Sequence, residues 1–356
     1  MPAPRRDESP LPLPRPLRLL AAAALAGCVV AAVATARPAA GPPLGADKGP
    51  RAADTKTTCI YTRNDIHRLA RFQRLVRKRY DCVMVYNDAA PDWKGWAIPW
   101  ITVHNAPRFR WDEWVAEAPG RRRLIITQGL IPSNLPPDWR ARGARGEYER
   151  HARRLARTLI AAGLGDSVIR LGHEANGTWY HHSVGDTPRQ WRQWRRFWAR
   201  TVRAMRSQPG ARFVFDWTVN AGYRPIPLAA WYPGDDVVDI VGIDLYDHSA
   251  SPRVHRRPGG RRWATQVAEP GSLRSVVAFA RRHGKPISIP EWGLAKPGEW
   301  RGGMGDNPDF VRRIARVVRT TPTAYSSYFE SPTGDTLQLR LAPRSAAAYR
   351  ALFRTR

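Results

Sequence analysis

Cysteine is scarce in this sequence, which contains only three cysteines among 356 residues and neither a CxxC motif nor a cluster of His and Cys. This scarcity argues against a structural zinc site. A glycine-rich GxGxxG turn is also missing after the first predicted strand, and this absence argues against a dinucleotide-binding fold.

Acidic residues are few as well, with 30 Asp and Glu against 58 Lys and Arg, and the formal net charge is +28. Such a charge favours nucleic acid, anionic lipid or acidic polysaccharide as a partner. The basic residues are dispersed through predicted helices, as at Arg153, Arg154 and Arg157, and do not form a tail. Because no zinc-finger spacing, helix-turn-helix signature or RNA-binding aromatic motif accompanies them, we expect no nucleic-acid partner.

The N-terminal segment differs from the rest of the chain. Arginines precede an apolar run over residues 19–36, so we interpret residues 1–36 as a signal peptide or a membrane anchor. Cys28 ends a Leu-Ala-Gly-Cys sequence that resembles a lipidation site, which is a third option. Residues 37–56 form a linker rich in Pro, Gly and Ala. All three options predict a secreted or surface-anchored protein whose folded domain spans residues 57–356.

From residue 57 onward, short apolar runs alternate with segments of helical periodicity. The eight predicted strands are 58–61, 82–86, 124–127, 168–171, 213–217, 237–245, 286–289 and 325–329. The predicted helices are 65–80, 111–118, 147–162, 189–207, 272–283, 308–320 and 345–353. Eight strands alternating with helices predict an α/β fold, a single (β/α)₈ TIM barrel. Cys59 and Cys82 lie in its first two strands, where an oxidising compartment permits a disulfide.

Two carboxylates, Glu174 and Glu291, follow predicted strands four and seven, at the end of the barrel where active sites form. Side-chain alternation places Glu174 on the face of Arg170, and Glu291 on the face of Ile287 and Ile289. If both faces point inward, the two acids converge over the barrel mouth. Glycosidic cleavage needs such a pair, and a separation of about 5 to 5.5 Å gives retention of configuration.

Four segments, each at a predicted strand end and in the right order, resemble glycoside hydrolase family 26, whose best-known members are endo-β-1,4-mannanases. They read Arg170-Leu-Gly-His173-Glu174-Ala-Asn176-Gly177-Thr-Trp179, Phe215-Asp216-Trp217-Thr-Val-Asn220, Tyr232-Pro233-Gly234-Asp235-Asp236-Val-Val-Asp239-Ile-Val-Gly242-Ile-Asp244-Leu-Tyr246, and Lys285-Pro286-Ile-Ser-Ile-Pro-Glu291-Trp292-Gly293. The resemblance covers roughly residues 57–330 and implies a (β/α)₈ barrel with a retaining mechanism.

The resemblance implies that Glu174 is the general acid/base and Glu291 the nucleophile. Arg170 is then expected to keep Glu291 ionised by charge attraction, and Tyr246 to donate a hydrogen bond to it. His173 either orients substrate or the acid/base, or packs at the strand end. The remaining expected substrate-binding or supporting residues are Asn176, Trp179, Trp217, Asn220, Asp244 and Trp292. No cofactor or metal is demanded by this mechanism, and a monomer is expected.

The sequence also departs from the mannanase pattern. Gln128 stands where mannan-cleaving relatives tend to have a His. The favoured substrate is β-1,4-mannan or a related hemicellulose, and the alternatives are mixed-linkage β-1,3-1,4-glucan, β-1,3-xylan and an acidic cell-wall glycan. A non-catalytic glycan-binding barrel is an alternative from another class, and it would need neither glutamate.

Overall fold

The computed structural model describes residues 57–353 apart from 88–89, 103–105, 223, 225, 250–251, 256, 258, 299–301 and 333–335. Eight parallel strands follow one another around a closed barrel, in which the eighth pairs with the first. They are β1 (Thr57–Tyr61), β2 (Cys82–Asn87), β3 (Arg123–Gln128), β4 (Val168–Leu171), β5 (Val214–Asn220), β6 (Ile240–Tyr246), β7 (Ile287–Ala295) and β8 (Thr323–Phe329). The predicted (β/α)₈ barrel is therefore confirmed.

Two predictions about the N-terminus, the export segment with Cys28 and the linker, lie outside the described residues. Within the described part of the chain, no helix is both long enough and apolar enough to cross a membrane.

Helices surround the barrel. They are α1 (Ile66–Val76), α2 (Trp93–Ala97), α3 (Trp111–Ala116), α4 (Trp139–Arg145), α5 (Glu149–Ala161), α6 (Pro188–Arg206), α7 (Leu228–Trp231), α8 (Pro252–His255), α9 (Gly259–Ala268), α10 (Leu273–Arg282), α11 (Pro308–Thr320) and α12 (Pro343–Leu352). A short strand, β9 (Thr336–Leu337), pairs antiparallel with β7. The sequence analysis missed α9, whose first turn contains two glycines and therefore has a weak helical signal.

Helix α6 shows how local sequence places an element against the barrel. The Thr187 side chain accepts a hydrogen bond from the Gln190 backbone N–H, and the Gln190 side-chain oxygen accepts one from the Thr187 backbone N–H. This capping box, with Pro188 in the first turn, starts the helix. Trp194 and Trp198 are fully buried, and the Trp198 indole donates to a β4 carbonyl. The amphipathic stripe therefore anchors α6 beside the strand that leads to Glu174.

The barrel interior is divided into an apolar base and a polar middle. The base is a cluster of inward-facing side chains, made of Cys59, Cys82, Met84, Ile125, Val168, Ile240 and Tyr325. Cys59 and Cys82, whose pairing the sequence left open, form a disulfide across β1 and β2 with their Cα atoms 4.6 Å apart. Because the bond lies inside the barrel, it ties the two strands together from within.

Asp216 forms the polar middle layer. Its carboxylate accepts hydrogen bonds from Thr218 (2.8 Å), Ser288 (2.6 Å) and Tyr325 (2.6 Å). Burial raises the pKa of Asp216, and these hydrogen bonds offset only part of the shift. The network fills the space beside Gly242, where a Cβ would lie 2.5 Å from an Asp216 oxygen and 2.5 Å from the Thr218 hydroxyl.

We expect Gly242→Ala to lower the free energy of unfolding by about 1–3 kcal/mol, because a methyl group would overpack this buried network. The control is Gly95→Ala in α2, where the nearest atoms lie 3.6 Å from the added Cβ, an ordinary contact distance. The control should be at least as stable as the parent because alanine favours helix. Urea unfolding measures both, and equal midpoints for the two variants would contradict the account.

Candidate active site

Glu291 reaches the barrel mouth by a route that simple alternation does not predict. Ile287 and Ile289 belong to the core between the barrel and the helices, so they point outward. Ser288 points inward, because its hydroxyl reaches Asp216. The expectation that Glu291 shares the face of Ile287 and Ile289 was therefore wrong, since Glu291 lies inside with Arg170.

A bulge in β7 causes this change of face. Ile289 pairs with Ser326 and Trp292 pairs with Tyr328, so three steps along β7 match two steps along β8. The extra residue reverses the in–out order beyond it. Pro290 lies in the bulged segment, and proline is tolerated at bulges because it has no N–H to donate to the ladder.

Glu174 reaches the mouth through a turn. Strand β4 ends at Leu171, and both Gly172 (φ 56°) and Glu174 (φ 49°) are left-handed. A Cβ on Gly172 would lie 3.3 Å from the ring of Trp194, so this position faces α6 and not the barrel interior. A left-handed glutamate is uncommon, and such residues cluster at functional sites. The turn, and not continued strand alternation, therefore directs Glu174 toward the mouth.

Glu291 is held by three donors. Arg170 donates to its Oε1 at 2.7 Å, Tyr246 donates to its Oε2 at 2.6 Å, and Tyr86 also donates to Oε1. Burial raises the pKa of Glu291, but the Arg170 charge and the donated hydrogen bonds outweigh burial, so the net shift is downward. The expected roles of Arg170 and Tyr246 thus agree with the geometry, which keeps Glu291 ionised.

Asp244 lies between the two glutamates. It forms a fully buried ion pair with Arg170 and accepts a hydrogen bond from the Glu291 backbone N–H at 3.0 Å. A hydrogen bond also joins its carboxyl group to Glu174. Burial raises the pKa of Asp244 well above its ordinary value; Arg170 opposes that shift, while the two glutamates add to it. Burial and the two nearby glutamates therefore act together to favour the protonated form of Asp244.

Glu174 receives hydrogen bonds from neutral groups. The Trp179 indole donates to Oε2 at 2.8 Å, and the Asn220 amide donates to Oε1 at 2.7 Å. Asn176 in turn holds Asn220 through two hydrogen bonds to its backbone, each 2.9 Å long. Trp179 is only half-buried, which leaves part of its ring available beside the carboxyl group. Asn176 thus fixes the position of the Asn220 backbone.

The three acids form one cluster. One carboxylate oxygen each from Glu174, Asp244 and Glu291 lies within 4.8 Å of the other two. Three such oxygens are a possible set of cation ligands, but the Arg170 guanidinium already supplies positive charge to Asp244 and Glu291. The arrangement suits proton transfer and nucleophilic attack by two differently partnered acids.

Three of the expected substrate-binding or supporting residues are buried away from the barrel mouth. Trp217 and Trp292 have no exposed surface; the former packs on Trp231 and the latter on Tyr349, both in the outer layer. His173 is also fully buried, and its ring packs against Tyr180 at a centroid distance of 4.3 Å. Of the two roles expected for these residues, burial therefore favours a supporting role for Trp217 and Trp292, and His173 agrees with the packing alternative. Residue type at a strand end does not reveal whether an aromatic ring faces inward or outward.

Tyr86 was missed by the sequence analysis. It lies near the C-terminal end of β2, two residues after the inward-facing Met84, so strand periodicity places it on the interior face. Its hydroxyl contacts both Glu291 and, at 3.3 Å, Arg170. Applying the strand-end rule to tyrosine as well as to carboxylates would have found it.

We expect Tyr86→Phe to reduce kcat/KM roughly tenfold and to move the acid limb of the pH profile to higher pH. The acid limb moves to higher pH because the Tyr86 hydrogen bond lowers the pKa of Glu291, so its loss raises that pKa. Tyr349→Phe is the control, since it removes a buried hydroxyl that contacts Tyr80 at 2.8 Å, outside the site. An acid limb that stays in place in Tyr86→Phe, or moves equally in Tyr349→Phe, would contradict this role.

Comparisons with known proteins agree with this geometry. Residues 164–256 match the model of glycosyl hydrolase family 26. Beta-1,3-xylanase TXYA from Vibrio sp. is 25% identical over 190 residues, which are 52% of this chain and 35% of the relative. The chain thus spans about a third of the length of the curated relative it matches.

Solved structures share the barrel. The modular endo-β-1,4-mannanase of Cellulomonas fimi superposes with a TM-score of 0.55 at 17% identity, covering 78% of this chain and 64% of that one. The Bacillus subtilis mannanase BCman gives 0.55 at 12% identity, covering 84% and 85%. At these identities the likeness shows the fold.

Proposed function

We propose that the chain is a member of glycosyl hydrolase family 26, whose model matches residues 164–256, and that it hydrolyses a β-linked polysaccharide as a retaining endo-glycosidase. The observation that carries the proposal is the pair of glutamates at the barrel mouth, with carboxylate oxygens within 4.8 Å of each other. This spacing supports direct attack by one acid, because an inverting pair stands about 6.5–9.5 Å apart to admit a water.

The two acids take different roles because their partners differ. Glu291, ionised beside Arg170, attacks the anomeric carbon and forms a glycosyl ester. Glu174, whose carboxyl group accepts hydrogen bonds from the neutral donors Trp179 and Asn220, protonates the departing glycosidic oxygen. In the second step Glu174 removes a proton from water, and the resulting hydroxide displaces Glu291, restoring the carboxylate and releasing the sugar with its configuration retained.

Trp179 is the proposed sugar platform. Its indole N–H is committed to Glu174, while its half-buried ring lies at the site. Aromatic faces pack against the apolar faces of sugars. A sugar stacked there would place its glycosidic oxygen beside Glu174.

The favoured substrate is β-1,4-mannan or a related hemicellulose. The second candidate is β-1,3-xylan, which is supported by the 190-residue similarity to a protein named a β-1,3-xylanase. We also propose that residues 1–36 direct export, which would bring the enzyme to an extracellular polymer.

A polysaccharide panel tests the proposal: galactomannan, glucomannan, mixed-linkage glucan, β-1,3-xylan and acidic wall polymers, assayed by reducing-end release. We expect endo-type products from one class of polymer, with the anomeric form of the linkage kept in the first product seen by NMR. An inverted first product would rule out the retaining mechanism. Binding without hydrolysis of any polymer would favour a glycan-binding barrel.

A further inference from the structure

A cavity of about 480 Å³ lies against α9 and the start of α10, outside the catalytic cluster. We call it the basic pocket. Four arginines line it, Arg253, Arg257, Arg261 and Arg274, and its one acidic lining residue is Glu269. The pocket therefore concentrates positive charge within a concave surface.

Among the described residues, the four arginines of the basic pocket lack the acidic partners that some other arginines of the fold have. Arg206 forms an ion pair with Asp239 at 2.8 Å, and Arg224 forms one with Asp186 at 2.7 Å. Within the described part of the chain, no carboxylate lies within 4.0 Å of the four pocket guanidiniums. Four exposed guanidiniums that repel one another are stabilised by a bound anion.

The pocket lies at the catalytic end of the barrel. Helix α9 is tied to the end of β6, because Gln266 donates at 2.7 Å to the carbonyl of Tyr246, the residue that holds Glu291. On the other side, the Cβ of Glu269 lies 3.7 Å from the position that a Cβ on Gly222 would take. Gly222 follows β5 two residues after Asn220, which contacts Glu174. The basic pocket therefore borders the segments that carry Tyr246 and Asn220, the residues that hydrogen-bond to Glu291 and Glu174.

The chemistry of arginine selects the ligand. A guanidinium offers a planar set of donors that pairs in a bidentate way with carboxylate, sulfate or phosphate, and it gains far less from neutral hydroxyl groups. A polysaccharide held across the nearby mouth would extend over this rim. We propose that the basic pocket is a subsite for an anionic substituent of the polysaccharide substrate. This inference rests on the proposed function and deepens it, because it names the substrate class as an acidic glycan.

The test measures binding in the Glu291→Gln background, so that polymer is not consumed. The probes are one β-mannan and its carboxymethylated form, studied by affinity electrophoresis at low and high salt. The pocket variant carries Arg261→Gln with Arg274→Gln. The matched control carries Arg192→Gln with Arg196→Gln, which removes the same charge from exposed positions of α6.

We expect the pocket variant to bind the carboxymethylated polymer roughly tenfold more weakly than its parent, and the unmodified polymer equally well. The control should change either affinity by less than about twofold, and high salt should remove the preference for the modified polymer. Equal losses in both variants, or none, would overturn the subsite. Tighter binding of a single-stranded RNA that the pocket variant loses would also overturn it.

A hydrolysis assay of the wild-type enzyme separates this inference from the proposed function. If unmodified polymers are hydrolysed but the affinity difference is missing, only the subsite fails. If the affinity difference is present but the wild-type enzyme hydrolyses neither the unmodified nor the carboxymethylated polymer, the proposed function fails. The role of the pocket as a substrate subsite then fails with it.

Discussion

In the Glu291→Gln variant, kcat for polysaccharide hydrolysis is expected to fall by at least about 10⁴-fold, the scale seen when a catalytic nucleophile is removed. Glutamine has nearly the same shape but carries no charge, so it does not form the glycosyl ester. The Arg170 guanidinium would then lose one of its two buried anionic partners while keeping Asp244. Circular dichroism and thermal unfolding would establish that the variant remains folded.

Azide distinguishes the nucleophile from other essential groups. In Glu291→Ala, the small anion fits the vacated space and attacks the anomeric carbon directly, giving a glycosyl azide of inverted configuration from an aryl glycoside with a good leaving group. In Glu174→Ala, azide intercepts the ester on Glu291 and gives the retained product. Wild-type turnover in Glu291→Gln, or a retained azide product from Glu291→Ala, would remove Glu291 from the role of nucleophile.

The second large effect is expected for Glu174→Gln, with a loss of about 10²- to 10⁴-fold in kcat/KM on polysaccharide. Glutamine still accepts a hydrogen bond from Asn220 or Trp179 but has no proton to give to the departing oxygen. The loss should depend on the leaving group. A dinitrophenyl glycoside leaves without protonation, so its ester should form at nearly the wild-type rate and then accumulate.

Rapid-mixing measurements of the dinitrophenolate burst would report this difference. Asn176→Ser serves as the control, because Asn176 holds the Asn220 backbone and does not contact Glu174 itself. Its effect should be smaller and similar for both leaving groups. If Glu174→Gln loses equal activity on polysaccharide and on the dinitrophenyl glycoside, Glu174 is not the acid.

The barrel itself was predictable because its signals are local. Eight apolar runs separated by amphipathic segments appear in the sequence, and each corresponds to a strand of the structure. Boundaries were less accurate: β6 begins at Ile240, although Val237 and Val238 before it are also fully buried. A buried turn and a buried strand both consist of apolar residues, so the sequence does not show where the turn ends and the strand begins.

The sequence predicted the charged residues of the site better than the aromatic residues around them. Glu174, Glu291, Arg170, Asp244 and Tyr246 are all brought together as expected. The aromatic residues were harder to assign. Side-chain alternation along a strand decides whether a ring points into the barrel or outward, and the sequence does not show where a bulge reverses that alternation.

Composition, strand number and the order of acidic residues along the chain determined by themselves that this protein forms a barrel with one glutamate just after its fourth strand and another on its seventh. Only the tertiary structure decided that those glutamates meet. One additional residue in β7 turns Glu291 inward, and two left-handed residues after β4 aim Glu174 toward it. Both depend on pairing with neighbouring strands and on packing against α6, which are interactions between residues distant in sequence.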